Sequence, residues 1–274
     1  GLQGGHSGMD IIKGLGNANK MMNRLLAANK EIAHIATIAG GSLRNAIPRE
    51  STATVVVKTE DISEFVSQME KLQFDLVEEF RLLEPDLTIE THKITSPEMV
   101  MDPKDQLIFI NTVYATHNGV YRMSPAIEGL VETSNNIAKI AVSNATLKIE
   151  CLTRSSVDSS KDDMAATLTA VFELAGYKVA CSGHYPGWAP NMDSAILKVV
   201  ESLYISLHGE KPNVAACHAG LECGILGQNY PKMDMISFGP TIKGAHSPDE
   251  RASISSAQKY WKFVLEILKN IPLK

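Results

Sequence analysis

From Asn17 to Lys30 the apolar residues Ala18, Met21, Met22, Leu25 and Leu26 recur at helical spacing. Asn17 follows Gly16 and can accept the first free amides, so the pattern predicts a capped helix. β-prone runs at 32–39 and 53–57 flank Gly40-Gly41 and the segment from Asn45 to Pro48, which reads as strand, turn, strand. The longest periodic stretch follows. Ile62, Phe65, Val66, Met69, Leu72, Leu76, Val77, Phe80 and Leu83 make one stripe, with Glu60, Asp61, Glu64, Glu70, Lys71 and Glu78 mostly outside it. Leu87 and Ile89 alternate with Thr88 and Glu90 and predict a closing strand.

The same order recurs. Ala138, Ile140 and Val142 predict a strand, Leu147, Ile149 and Cys151 its neighbour, 162–174 a helix and 177–181 a further strand. Two successive strand-strand-helix-strand units predict an α+β domain: a mostly antiparallel sheet with helices on one face, in the pattern of an internal duplication. Prolines and glycine then interrupt the periodic segments at His184-Tyr185-Pro186-Gly187-Trp188-Ala189-Pro190, where a domain boundary is expected. Residues 1–184 form one expected domain and 185–274 another.

In the second stretch Ile196, Val199, Val200, Leu203, Tyr204 and Leu207 predict a helix, and 253–268 a final one. Between them, 213–217 and 233–238 are short apolar runs of the kind covered on both faces of an α/β sheet. Two strands and two helices are too few to cover themselves, so this part reads as an incomplete α/β domain whose further strands are implied.

Composition sets bounds on function. With 44% hydrophobic and 21% charged residues, the 274-residue chain has ample material for a core. Against 31 Asp+Glu stand 26 Lys+Arg, with no clustered basic stripe, which disfavours nucleic acid as a partner. The four cysteines, Cys151, Cys181, Cys217 and Cys223, form no C-x-x-C pair and read as reduced structural thiols. No apolar run of about 18 residues and no basic-then-apolar N-terminus occurs, so neither a membrane partner nor a secretory route is expected and the chain reads as cytoplasmic.

Several loops carry groups suited to chemistry. Gly4-Gly5-His6-Ser7-Gly8 places an imidazole where the backbone can approach a ligand and His6 can donate to a developing oxyanion; an incidental histidine in a flexible loop is the plain alternative. Around one turn, Arg44, Asn45 and Arg49 gather two guanidinium groups and an amide, or a solvated hairpin. Arg154, at a strand end before Ser155, Ser156 and Asp158, can fork a carboxylate, or pair with Asp158 beside a capping cluster. Cys217-His218-Ala219-Gly220-Leu221-Glu222-Cys223-Gly224 follows a predicted buried strand, and His246 follows the next, so a cleft with His218, Glu222 and His246 is expected. The helix-borne H-E-x-x-H pattern is absent, and Glu222 is read as part of a glycine-rich turn.

Taken together, Gly4 to Gly8, Arg44 to Glu50, Glu128-Gly129-Leu130-Val131-Glu132-Thr133-Ser134, Arg154-Ser155-Ser156, Tyr185-Pro186-Gly187-Trp188, His218 to Gly224 and Gly239 to Glu250 strongly resemble the aminoacyl-histidine dipeptidases. These Xaa-His, or cytosol non-specific, dipeptidases belong to the zinc-dependent carnosinase and aminoacylase-like clan. The resemblance runs over essentially the whole chain and begins in the middle of the family's sequence. It implies that 1–184 is a lid that dimerises and that 185–274 is the returning part of a catalytic domain holding two zinc ions. By the same resemblance His246 matches a zinc ligand, His6 the lid histidine that steadies the oxyanion, and Asn45 and Arg154 substrate-holding residues. Glu222 and Gly224 fall in the matching pocket loop.

The implied reaction is metal-assisted hydrolysis of a dipeptide. The family's general base, its H-x-D pattern and its metal-bridging carboxylate have no match here. The expectation is therefore a polypeptide that by itself is inactive and binds zinc weakly or not at all. A non-catalytic module that dimerises or binds peptides is the alternative from another class.

Overall fold

The computed structural model describes residues 1–184, 186–191, 193–216, 222–243 and 250–271. Two units emerge: one comprises Gly1–Gly187, the other Trp188–Ala216 with the described residues from Glu222 onward. The first contains, in order, β1 (Gly5–His6), α1 (Ala18–Ala28), β2 (Ala33–Gly40), β3 (Ala46–Ile47), β4 (Ser51–Val57), α2 (Ile62–Phe80), α3 (Pro103–Ala115), β5 (Gly119–Met123), β6 (Val131–Ser143), β7 (Thr146–Ser155) and α4 (Asp158–Leu174).

Five of these strands make one antiparallel sheet. β6 pairs along its length with β7. Its opposite edge is shared: β2 takes Ile140, Ala141 and Val142, while β5 takes Val131, Thr133, Ser134 and Asn135. Between the two partners a stretch of β6 backbone has, among the described residues, no strand on that edge, and its buried N–H and C=O groups there must find bonds elsewhere. Side-chain amides supply them. Asn118 Oδ1 accepts from Ile137 N at 2.9 Å, and Ile137 O accepts from Asn17 Nδ2 at 3.1 Å and Asn19 Nδ2 at 3.2 Å. Asn136, on the same stretch, donates 2.7 Å to Ala46 O and so ties β3 to the sheet.

Helix α1 begins as the sequence predicts. Asn17 Oδ1 accepts from Asn19 N and Lys20 N, satisfying two of the otherwise orphaned amides. One core joins Leu26 of α1 and Phe109, Ile110 and Val113 of α3 to Ile35, Ile38, Ile137, Ile140 and Val142 of the sheet. A second sets Ala18, Met21 and Leu25 against Leu76, Leu2 and Leu87. Helix α1 is therefore apolar on two sides, one to the sheet and one to α2. Along α2 only Leu76 is fully buried; Met69, Leu72, Val77 and Phe80 pack against the second core, while Ile62, Val66 and Leu83 of the predicted stripe stay exposed.

Several expectations are corrected. Residues 87–89 are not a strand: Leu87 N donates to Glu84 O in a turn, and its side chain fills the second core. Residues 177–181 are not a strand either, since Tyr177 N turns back to Phe172 O. Alternation chooses a face, but a strand also needs a ladder partner, and both segments lack one among the described residues. The two predicted units thus contribute to one sheet, without their closing strands. Helix α3 and strand β5 were not predicted, although Asp102-Pro103, with Asp102 Oδ1 accepting from Lys104 N, is a sound helix start.

The second unit contains α5 (Ala195–His208), α6 (Glu222–Asn229), β8 (Ile242–Lys243), β9 (Arg251–Ala252) and α7 (Ile254–Lys269). Ser194 and Ser253 cap α5 and α7. Tyr204 and His208 of α5 stack edge-on and tilted against Phe263 of α7, which Phe238 also meets. The predicted buried strands are not found: 213–216 and 233–238 are irregular, with Val214, Met233 and Phe238 exposed, and Cys217 lies outside the described residues. An apolar run becomes a covered strand only when neighbours bond both its edges, and none of the described residues does so here. Among the described residues no helix is long and apolar enough to cross a membrane.

Candidate functional site

In the first unit the turn that carries His6 is built by reciprocal bonds. Asp10 Oδ2 accepts from His6 N at 2.7 Å, and His6 O accepts from Asp10 N at 2.9 Å. Gly5 sits at φ 156°, and a Cβ there would lie 2.8 Å from Asp10 Oδ2, so the turn closes only around a glycine. Burial opposes ionisation of Asp10. Lys13 Nζ at 2.7 Å and the His6 N–H outweigh it, holding the carboxyl below its ordinary value.

Strand pairing brings the second candidate loop to this turn. β1 runs antiparallel to β3 with His6 opposite Ala46, and Ser7 N donates 2.8 Å to Asn45 O. Arg154, near the end of β7, reaches the same place from the sheet: its Nε lies 3.4 Å from Ser7 Oγ and its Nη2 3.5 Å from His6 Nε2. Gly8 packs closely under both groups, since a Cβ on it would stand 3.1 Å from His6 Cε1 and 3.3 Å from Arg154 Cδ. His6, Asn45 and Arg154, three separate expectations of the sequence, therefore form one constellation. All three are half-buried. It combines an imidazole and a forked cation, groups suited to an anionic or carbonyl oxygen, while Asn45 is tied in through its backbone carbonyl.

The segment after Arg154 departs from expectation. Asp158 pairs with Lys161 at 2.5 Å and accepts from Gly187 N at 2.8 Å, which holds its carboxyl below its usual range. The first residue before α4 is Val157, with no side-chain cap; Ser155 Oγ instead accepts from Val157 N. Ser155 and Ser160 both bond Thr133 Oγ1 at 2.8 Å, so the serines here serve the sheet. Burial pushes the Cys151 thiol up to about 11, in keeping with a structural cysteine.

The remaining candidates belong elsewhere. Glu222 opens α6 and is exposed, and Gly224 is buried within that helix, so the glycine-rich turn expected at Glu222 is corrected to a helix. Its reason is local: Glu222 to Asn229 has no proline, and a carboxylate suits a helix N-terminus. His218 and His246 lie outside the described residues. Among the described residues no three His, Cys, Asp or Glu side chains converge, so those placed here do not by themselves fit zinc. Sequence reasoning missed Asp10 and gave Ser7, within the Gly4 to Gly8 loop, no role of its own. The spacing of Asp10, four residues after His6 in a glycine-rich turn, was the available signal.

The chain matches Peptidase family M20/M25/M40 over residues 14–270 and belongs to that family. It is 41% identical over 276 residues to the cytosol non-specific dipeptidase of Escherichia coli (strain K12), covering 100% of this chain and 57% of that protein. It is also similar to the crystal structure of aminoacylhistidine dipeptidase from Vibrio alginolyticus, with a TM-score of 0.88, 42% identity, and coverage of 100% of this chain and 56% of the other. The chain thus spans a little over half the length of the relatives it matches.

Proposed function

We propose that this chain is the lid, residues 1–184, and the C-terminal catalytic segment, residues 185–274, of a dinuclear zinc dipeptidase that hydrolyses Xaa-His and other dipeptides. The observation that carries the reading is the meeting of His6 and Arg154 across 3.5 Å at the edge of the sheet. Arg154 holds the dipeptide carboxylate by a bidentate pair, and Asn45 lines the same edge. His6 donates to the oxygen that gains charge as the peptide carbonyl is attacked. Glu222 and Gly224 shape the substrate pocket of the second segment. His246 supplies one zinc donor, the others coming from polypeptide outside these 274 residues. The enzyme works in the cytoplasm as a homodimer joined through its lid. Family membership and 41% identity to a dipeptidase support the hydrolase class.

The test measures Xaa-His hydrolysis and zinc content in the complete polypeptide. His6→Ala is expected to lower kcat by about 10²- to 10³-fold, the scale of a lost oxyanion donor. Arg154→Ala raises KM, and His246→Ala lowers zinc content. Unchanged kinetics in both His6→Ala and Arg154→Ala would overturn the site assignment. The 274-residue chain alone is expected to be inactive, and robust turnover with added zinc would refute that part.

A further inference from the structure

The Gly4 to Asp10 turn does more than present an imidazole, because it also dictates where the ring proton sits. Gly8 N lies 3.3 Å and Met9 N 3.1 Å from His6 Nδ1, and both are backbone amides, which always carry a hydrogen. A nitrogen that accepts from two amides must offer its lone pair. In a neutral imidazole the single proton then resides on the other nitrogen. The guanidinium of Arg154 beside Nε2 presents a competing demand, since it too is donor-only. Two amides fixed by the backbone outweigh that 3.5 Å contact from a flexible side chain.

We infer that the turn fixes His6 as the Nε2–H tautomer, with Asp10 as the positioning residue that holds the turn in the shape this requires. Asp10 touches neither ring nitrogen. It grips the His6 backbone N–H while its own N–H bonds His6 O, which closes the ring of atoms in which Gly8 N and Met9 N face inward. Lys13 holds the other carboxyl oxygen and keeps Asp10 oriented. Ser7 N, bonded to Asn45 O, anchors the outer side of the turn to the sheet edge. His6 Nε2 thereby carries the ring hydrogen on the Arg154 side, and a histidine so held serves as an electrophile toward oxygen, with the base supplied by another group. The tautomer stands on geometry alone; its use in dipeptide hydrolysis rests on the function proposed above.

Histidine-selective 15N labelling of the full chain tests it, with the His6 resonances assigned by their loss in His6→Gln. Long-range proton–nitrogen correlation is expected to show neutral His6 with a pyrrole-type Nε2 and a pyridine-type Nδ1. The reverse pattern, or an even mixture, overturns the inference whatever the enzyme does. Asp10→Ala is expected to mix the tautomers and, in the active dipeptidase, to lower kcat about tenfold or more with KM little changed, as a misplaced group does. Asp10→Asn, whose side-chain oxygen still accepts the His6 N–H, is expected to restore both. If Asp10→Ala keeps tautomer and kcat, Asp10 is not the positioning residue. If His6→Ala leaves hydrolysis intact while the tautomer reads as stated, the functional assignment fails and the tautomer stands.

Discussion

Replacing Asn17 separates two roles that a single amide fills. Its Oδ1 caps α1 through Asn19 N at 3.0 Å and Lys20 N at 3.1 Å. Its Nδ2 donates to Asn118 Oδ1 at 2.9 Å, Ile137 O at 3.1 Å and Asn136 Oδ1 at 3.2 Å, and the residue is 5% exposed. Asn17→Ala loses the cap, about 1 kcal/mol. It also leaves buried acceptors short of a donor, at about 1–3 kcal/mol. Ile137 O keeps Asn19 Nδ2 and Asn118 Oδ1 keeps Ile137 N, so the shortfall falls on Asn136 Oδ1. The expected total is about 2–4 kcal/mol. Asn17→Asp decides the matter. Aspartate caps helices as well as asparagine does, yet here it would place a charge against two carboxamide oxygens and a carbonyl with no donor to offer them. Urea unfolding should therefore find Asn17→Asp at least as destabilised as Asn17→Ala. An aspartate variant as stable as the parent protein would refute the donor role and reduce Asn17 to a cap.

Two further outcomes follow from the ionisable groups. Asp10 has a folded pKa below its unfolded value near 3.9, so its contribution to stability is fully present above that value and is lost as pH falls through the depressed one. The stability difference between the parent protein and Asp10→Asn, read from denaturant midpoints, should hold at about pH 6 and narrow below about pH 4; a gap that widens on acidification would contradict it. Cys151, with its thiol at about 11, should resist a thiol reagent near neutral pH until the protein unfolds, whereas exposed Cys181 reacts at once. Cys181→Ser should remove a fast-reacting thiol, and fast labelling of Cys151 in the folded state would count against its burial.

Much of the first unit was legible because its elements announce themselves locally. Asn17 before an apolar 3.6 pattern marked α1, and alternation marked β6 and β7. Helix α3 escaped because Leu107, Ile108, Phe109 and Ile110 are apolar in succession, which blurs the helical period. The segments 87–89 and 177–181 misled for the opposite reason, having period without partner. At the site, residue type and loop chemistry left His6, Asn45 and Arg154 each with a plain structural alternative, and only the family resemblance made their expected roles readable. Their meeting was not readable, since Arg154 and Ser7 are 147 residues apart and only the register of β1 on β3 and the line of β7 join them. Asp10 was overlooked because its role is to hold backbone, for which a sequence offers only spacing.

The buried amides link the fold to the site. A sheet built with two partners on one edge of β6 leaves backbone groups between them, and apolar side chains could not satisfy those groups. Asn17, Asn19 and Asn118 do so, and each fixes an element as it does: α1 by its cap, the α3–β5 connection by Asn118. Asn136 then carries the same network outward to Ala46, the residue opposite His6. Hydrogen-bonded polar groups in a dry interior admit few geometries, because every alternative leaves a donor or acceptor unpaired. The position of His6 is thus set by its own glycine-rich turn together with a strand pairing whose register is tied to the core, which is how a short, mobile-looking sequence can hold an imidazole against a guanidinium.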